Sequence, residues 1–295
     1  MAGVTVIGAP TSAGAYAPGQ EDGPAALREH GLLAALARAG LAVTDAGDVD
    51  RFRWRPDPAA PRAANAGAVV ERARQVAERV AAAAPGDRVL VLGGDCTVGV
   101  GTVAGLALRG ATPALVYLDR HADLNVPGST DEGALDWMGV AHLLDVDGAV
   151  AALAGVGGTR PLLVPERLAF LGLGDPSPPE AALIAARGLT VVGMDAALAD
   201  PVAAARAALA ALPASAAVAV HFDVDVLDFR DAPLAENADR APGLPLAAAG
   251  EALAALAADP RVTALTVTEF TPHHGAEDGA DTRRLAETLV AALTA

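Results

Sequence analysis

The chain is poor in cysteine, with only Cys96 among 295 residues, so no internal disulfide can form. That scarcity is typical of proteins in a reducing compartment, and we therefore expect a cytoplasmic protein. Aromatic residues are also few, at 3% of the chain. A chain of this length can nevertheless bury a sizeable core without disulfides.

The sequence also lacks any run of about 18 apolar residues that is free of charge and proline, so we expect no membrane span. The opening residues MAGVTVIGAP contain no basic segment, which predicts no signal peptide. Positive charge is in the minority, since the net charge is −15. A nucleic-acid partner is therefore not expected, whereas a cationic ligand or a bound metal is compatible with this charge, as is simple solubility.

Eight short apolar runs alternate with longer segments of helical period. The runs span residues 4–9, 41–47, 88–94, 114–119, 168–174, 189–195, 217–223 and 264–270. Most are continuously apolar, which is typical of parallel strands covered on both faces. The pattern predicts an α/β fold, a three-layer sandwich with an eight-stranded, mostly parallel sheet, in a single domain over residues 1–295.

The segments between these runs give further expectations. Pro24 and Gly40 bound one predicted helix, and residues 66–84 form another with an apolar stripe. The Pro- and Arg-rich stretch 51–62 is predicted to be a loop.

Polar residues follow three of the apolar runs, in the segments GGDC (93–96), DRHAD (119–123) and HFDVD (221–225). Function gathers at the carboxyl ends of strands in an open parallel sheet, and alternation would put residues 119, 121 and 123 on one side. Carboxylates this close repel one another unless a cation neutralises them. We therefore predict two closely spaced divalent ions, with the ligands Cys96, Asp119, His121, Asp123, Asp223 and Asp225.

Other interpretations of single residues remain open. A lone cysteine such as Cys96 is often a small buried hydrophobe, and Asp95 and Asp228 could be turn or cap residues. The stretch GVGTVA (99–104) also fits a dinucleotide-binding fingerprint, with Asp119 lying 20 residues beyond Gly99. That fingerprint belongs in the turn directly after a strand, whereas these glycines are expected inside the following helix, so a nicotinamide enzyme is the weaker alternative.

The motifs GGDCT, DRHAD and HFDVDVLDF resemble G-G-D-H-S, D-A-H-x-D and S-x-D-x-D-x-x-D-P of the arginase, or ureohydrolase, family, which includes agmatinases. The opening IGAPTSAGAYAPGQEDGPAALREHGLL is also similar to that family's opening. The resemblance runs in order from about residue 4 to residue 275. It implies an arginase-like fold, two manganese ions, hydrolysis of a small cationic guanidino substrate, and a homotrimer or homohexamer.

The resemblance also assigns the metal ligands. It implies that Asp119 and Asp223 bridge both ions, that Cys96 and Asp123 complete the first site, and that His121 and Asp225 complete the second. Cys96 stands where the family has a histidine. A thiolate can fill that place, but as a softer ligand it would favour other metals than manganese.

Substrate contacts are implied in the same way. Glu269 would fix the guanidinium group, while Asn125 and Asp175 would meet the amino-acid end of the substrate. Three positions depart from the family pattern: Asp136 replaces its proton-shuttle histidine, Ser177 its second acid and Asn237 its usual threonine. At an ordinary pKa of about 3.9, Asp136 would be a poor proton source at neutral pH.

These departures change the rim of the site more than its metal ligands. They suggest a guanidino compound other than plain arginine, such as Nω-hydroxyarginine, with release of urea or hydroxyurea. The alternatives are an agmatine-like or guanidino-acid substrate, and a catalytically weak relative that binds a metal or ligand.

Overall fold

The computed structural model describes residues 3–295, whose centre is one eight-stranded sheet. The strands are β1 Gly3–Gly8, β2 Ala42–Asp48, β3 Arg88–Leu92, β4 Pro113–Leu118, β5 Leu168–Leu173, β6 Thr190–Gly193, β7 Ala217–Asp223 and β8 Val262–Thr268. Their spatial order is β2-β1-β3-β8-β7-β4-β5-β6, and every neighbouring pair is parallel. The predicted α/β fold with eight strands is confirmed.

Within residues 3–295, eleven α-helices cover the two faces of this sheet. They are α1 Gly23–Glu29, α2 Leu32–Arg38, α3 Ala66–Ala82, α4 Val98–Leu108, α5 Gly139–Leu143, α6 Ala151–Ala154, α7 Pro178–Arg187, α8 Met194–Ala199, α9 Pro201–Ala210, α10 Leu246–Ala257 and α11 Ala280–Leu293. Helices α1, α2 and α8 to α11 share one buried apolar cluster, and α3 to α7 share the other. Each face of the central strands is therefore dry.

The prediction of one helix from Pro24 to Gly40 is wrong, because two helices occupy this segment. Helix α1 ends at Glu29 and α2 begins at Leu32. Between them Gly31 has a φ of 87°, a left-handed conformation that glycine adopts without steric cost. The apolar residues Leu27, Leu32 and Leu36 still reach the same core, so the apolar pattern continues across the break.

The glycines of GVGTVA lie within the first turns of α4, as their position predicts, and not in a strand-to-helix turn. A Cβ atom at Gly99 would overlap the ring of His221, and one at Gly101 would overlap the backbone of α3 at Ala73. Close packing therefore accounts for both glycines.

Four central strands, β3, β8, β7 and β4, end side by side at one edge of the sheet. The residues that follow or finish them are Cys96, Glu269, Asp223 and Asp119, all at most 7% exposed. Among residues 3–295, no helix combines the length and the apolar character needed to cross a membrane.

Candidate metal centre

The turn after β3 brings Cys96 against the end of β8. A Cβ atom at Gly93 would lie 2.7 Å from the Val267 carbonyl oxygen of β8, so glycine permits this close approach. The Cys96 backbone N–H donates to Glu269 Oε1 at 2.8 Å, which ties the two strand ends together.

The acidic residues after β4 and β7 share one local conformation. Asp119 Oδ1 accepts the backbone N–H of His121 at 2.6 Å, and Asp223 Oδ1 accepts that of Asp225 at 2.7 Å. A carboxylate that bonds the backbone two residues ahead bends the chain out of the sheet. Strand β4 accordingly ends at Leu118, so the prediction of an extended, alternating segment at 119–123 is wrong in its local geometry.

A first group of potential ligands lies at the base of the site, where Cys96, Asp119, His221 and Asp223 have ligand atoms within 4.8 Å of one another. Cys96 Sγ lies 2.8 Å from Asp223 Oδ2 and 3.4 Å from His221 Nε2. All four side chains are buried.

A second group, closer to solvent, contains Asp119, His121 and Asp225 within the same 4.8 Å limit. His121 Nδ1 lies 2.9 Å from Asp225 Oδ2. Burial alone would lower the pKa of His121, but the charge and hydrogen bond of Asp225 raise this pKa to about 9. Asp119 belongs to both groups, and its role as a bridge between two ions stays a prediction.

Electrostatics at the base of the site favour a bound cation. Burial, together with repulsion from neighbouring carboxylates, raises the pKa of Asp119 and of Asp223 well above the usual range. Burial and the charge of Asp223 likewise raise the pKa of the Cys96 thiol. Asp119 Oδ2 and Asp225 Oδ1 are buried without a hydrogen-bond partner among the described residues. These orphaned oxygens and the anionic donor set fit two divalent ions.

Asp123, predicted to complete the first site, lies in neither group. Its Oδ2 accepts a short hydrogen bond from the Tyr117 hydroxyl, and burial raises the pKa of Asp123 to about 7. It borders the same cavity, and its role as a ligand stays a prediction.

Both groups contribute side chains to the lining of an open cavity of about 270 Å³, although Asp119 and His221 are not part of that lining. Of the residues predicted to form the site, the cavity is lined by Cys96, His121, Asp123, Asn125, Asp136, Asp175, Asp223, Asp225, Asn237 and Glu269. Ser177 is exposed and lies outside that lining. Its hydroxyl instead donates to Glu180 Oε2 at 2.7 Å in a capping box that starts α7.

Glu269 lies beside the first group with its carboxylate buried. Its Oε1 accepts from the Cys96 backbone and its Oε2 accepts from the Gln20 amide at 3.0 Å. Burial and the nearby charge of Asp136 raise the pKa of Glu269 well above its usual value. A cationic group entering the cavity would relieve this repulsion.

Asp136 is buried on the cavity wall, and its environment changes the expectation for its chemistry. Burial, reinforced by Asp95 and Asp123, raises the pKa of Asp136 well above its usual value. The objection drawn from the pKa of an ordinary aspartate is therefore weaker for this buried carboxyl group.

Several polar residues that sequence reasoning did not assign also belong to the site. His221 is in the first group, and Tyr16, Glu180 and Glu236 line the cavity. Glu180 Oε1 accepts from Asn125 Nδ2 at 3.2 Å. His221 stands in the HFDVD segment and was visible there, whereas nothing local marks the other three.

The sequence model of the arginase family matches residues 2–295 of the chain. Arginase-2, mitochondrial, of Homo sapiens is 34% identical over 187 residues, which is 60% of this chain and 51% of that protein. Arginase-1 of Oryctolagus cuniculus is 32% identical over 193 residues, or 65% of this chain and 60% of that protein. The chain thus spans about half the length of the first curated relatives that it matches.

The fold is similar to that of solved arginases. The structure of arginase from Bacillus subtilis superposes with a TM-score of 0.87 at 24% identity, covering 98% of both chains. At this identity the likeness establishes the fold, with its eight-stranded parallel sheet.

Proposed function

Since the chain belongs to the arginase family, we propose that it is a binuclear metal-dependent hydrolase acting on the guanidino group of arginine or an arginine-like compound. The observation that carries this proposal is the pair of ligand groups that share Asp119 beneath an acidic cavity. Water would add to the guanidino carbon, the C–N bond to the substrate chain would break, and the amine would leave with a proton. The products are urea, or hydroxyurea from an N-hydroxylated substrate, and the amine.

The side chains divide the metal-binding work between two sites. Cys96, Asp119, Asp123 and Asp223 would hold the first ion, and Asp119, His121, Asp223 and Asp225 the second. When bound, such ions lower the pKa of water towards neutrality and stabilise negative charge in the transition state. The carboxylates would then be neutralised where the protein alone leaves them in mutual repulsion.

Glu269 and Asp136 would act on the substrate itself. The Glu269 carboxylate, held by Cys96 N–H and Gln20, can accept guanidinium N–H groups with little reorganisation. The buried Asp136 carboxyl would donate the proton that the leaving amine requires, as its raised pKa allows.

The rim residues would recognise the far end of the substrate. Asn125 is oriented by Glu180, and Asp175 and Asn237 lie on the same lining. Glu180 would supply a negative charge close to Ser177, where the family pattern leads one to expect an acid. A substrate with an ammonium group at its far end would fit this rim.

A hydroxylated guanidine such as Nω-hydroxyarginine is the finer candidate, favoured by the changes at Cys96 and Asp136. The second functional class is a catalytically weak protein that binds a metal or ligand. We further propose a single domain, a homotrimer or homohexamer, and a reducing compartment such as the cytoplasm, which suits the buried free thiol.

A substrate panel tests the proposal. Manganese- or zinc-loaded protein is incubated with arginine, Nω-hydroxyarginine, agmatine and guanidinobutyrate, and urea, hydroxyurea and amine are quantified. We expect turnover of at least one compound, and a fall of at least about 30-fold in kcat/KM for Glu269→Gln, because a buried charge partner is worth about 2–5 kcal/mol. Silence of metal-loaded protein across the panel would favour the binding protein.

A further inference from the structure

His221 is a buried histidine at the base of the site to which the proposed reaction assigns no role. It lies on β7 with 1% exposure. Its Nε2 is 3.4 Å from Cys96 Sγ, and its Nδ1 has no hydrogen-bond partner among residues 3–295. A histidine kept for packing normally satisfies both nitrogens, as His142 does through Met138 and Val150. The nitrogen with unused bonding capacity is thus Nδ1, whereas Nε2 faces the Cys96 thiol and is also partnered by Thr268 Oγ1.

The surroundings of His221 indicate a ligand position. It shares the first group with Cys96, Asp119 and Asp223, and Asp119 Oδ2 is buried in that group without a partner. A zinc ion with bonds of about 2.0–2.3 Å would hold an imidazole nitrogen and a thiolate sulfur roughly 3.5 Å apart, close to the 3.4 Å between Nε2 and Sγ. Cys96 Sγ and Asp223 Oδ2, which lie 2.8 Å apart, would have to separate.

The ring of His221 is held in place by its neighbours. Tyr117 stacks on it with ring centroids 4.3 Å apart and an interplanar angle of 15°. The same Tyr117 bonds Asp123 through its hydroxyl, which engages the carboxylate otherwise expected at the first ion. Thr268 Oγ1 hydrogen-bonds to Nε2 at 3.0 Å and also lies 3.5 Å from the Phe222 carbonyl oxygen. The hydroxyl can therefore bond to that carbonyl oxygen when Nε2 binds a metal ion.

The two unusual positions are neighbours in space. Where this chain has Cys96 and His221, the family motifs have histidine and serine. The imidazole therefore stands on β7 and the sulfur after β3, with β8 between the two strands.

We propose that His221 Nε2 and Cys96 Sγ are both ligands of the first ion, with carboxylates of Asp119 and Asp223, and that this site selects a thiophilic ion such as zinc. Imidazole and thiolate suit zinc, whereas carboxylate and water suit manganese. This assignment rests on the proposed function for the position of the site, replaces Asp123 by His221 among the ligands of the first ion, and adds the class of metal.

Cobalt substitution tests the assignment, because a cobalt–thiolate bond gives a charge-transfer band in the near ultraviolet. Full-length protein is stripped of metal and titrated with Co²⁺. We expect the band in the wild type and its loss in Cys96→Ser. In His221→Ala the affinity of the thiolate-bearing site for Co²⁺ should fall at least about tenfold. Even the loss of a residue that only hydrogen-bonds to a metal ligand typically costs that much affinity.

Matched variants separate the two sites. His121→Ala changes a histidine of the second group and should keep the band while total stoichiometry falls towards one ion. His221→Gln, closer in size, replaces alanine if the smaller side chain prevents folding. In Cys96→His/His221→Ser, which restores the family motif, the ratio of zinc to manganese affinity should fall by about tenfold or more.

Three outcomes would overturn the assignment. The first is a wild type that lacks the thiolate band. The second is unchanged Co²⁺ affinity and an unchanged spectrum in both His221 variants. The third is loss of the band in Asp123→Asn while the His221 variants keep it. A protein with the expected spectra but no turnover of any guanidino compound would instead refute the proposed function alone. Turnover in manganese with no effect of His221 on metal binding would refute the ligand assignment alone.

Discussion

Two buried histidines are held in different ways. His142 bonds the Met138 carbonyl oxygen through Nδ1 at 2.6 Å and accepts the Val150 N–H at Nε2 at 3.0 Å. That pairing suits a neutral ring, and burial lowers the pKa of His142. Burial also lowers the pKa of His221, to about 3, but its ring lies beside Cys96 rather than in a closed backbone pair.

His142 gives a prediction for stability against pH. The pKa of His142 in the folded state lies below the unfolded value of about 6.5. The stability that its neutral ring contributes is therefore fully present above about pH 6.5 and is lost as the pH falls below that value. In His142→Gln, the free energy of unfolding should fall less steeply between pH 6.5 and 5 than in the wild type.

Urea denaturation across pH 5 to 8 checks this expectation, with the difference between the two curves removing the effect of other titrating groups. His30→Gln, at the end of α1, serves as the matched control. Parallel curves for wild type and His142→Gln would contradict the proposed linkage.

At the scale of elements, helices α3 and α4 meet through a seam of small residues. A Cβ atom at Gly105 would lie 2.5 Å from Val80 Cβ and 2.7 Å from the Ala77 carbonyl oxygen. At Gly67, in the first turn of α3, no atom lies within 4 Å of such a Cβ.

Gly105→Ala should therefore destabilise the protein by about 1–3 kcal/mol through overpacking. Gly67→Ala should stabilise it by about 0.4–1 kcal/mol, because alanine restricts the unfolded chain. The midpoints of chemical denaturation measure both changes, and equal effects at the two positions would argue against a tight seam.

The elements also show how far sequence reasoning reaches. The eight runs predicted every strand to within a few residues. Burial on both faces demands continuous apolar sequence in the central strands, whereas the edge strands β2 and β6 are only partly buried. Strand β6 is shorter than its run because Met194 already begins α8. The break at Gly31 was missed, since the apolar period continues through it and only the left-handed φ reveals the turn.

The site was predictable where its chemistry is local. The acidic segments after β4 and β7 identified Asp119 and Asp223, which the structure brings together. The properties of Asp136 and the position of His221 beside Cys96 depend on tertiary burial and on distant strands meeting. Sequence spacing carries no information on either.

At the scale of the whole molecule, the net charge of −15 and the acidic cavity give a prediction for substrate capture. Raising ionic strength from 0.01 to 0.15 M shortens the screening length from about 30 to about 8 Å, which weakens the attraction of cations. The kcat/KM for any guanidino compound that the protein hydrolyses should therefore fall as salt is added.

Steady-state kinetics in KCl tests this, with agmatine and arginine compared because their net charges differ. If both are substrates, the kcat/KM for agmatine, which is doubly charged, should fall more than the kcat/KM for arginine, which carries a single net charge. An identical loss for both would indicate a general salt effect on the enzyme.

The carboxylates of Asp119 and Asp223 lie at the ends of middle strands of the sheet. Neighbouring strands hold these strands in place, so the carboxylates cannot separate to relieve their repulsion. Ligands that bind only the folded state stabilise it by mass action, and opening exposes a chain to proteolysis. The lifetime of this protein in a cell should accordingly track the supply of its ions. If the proposed metal centre is correct, starvation for its ion would lower the amount of the protein in the cell.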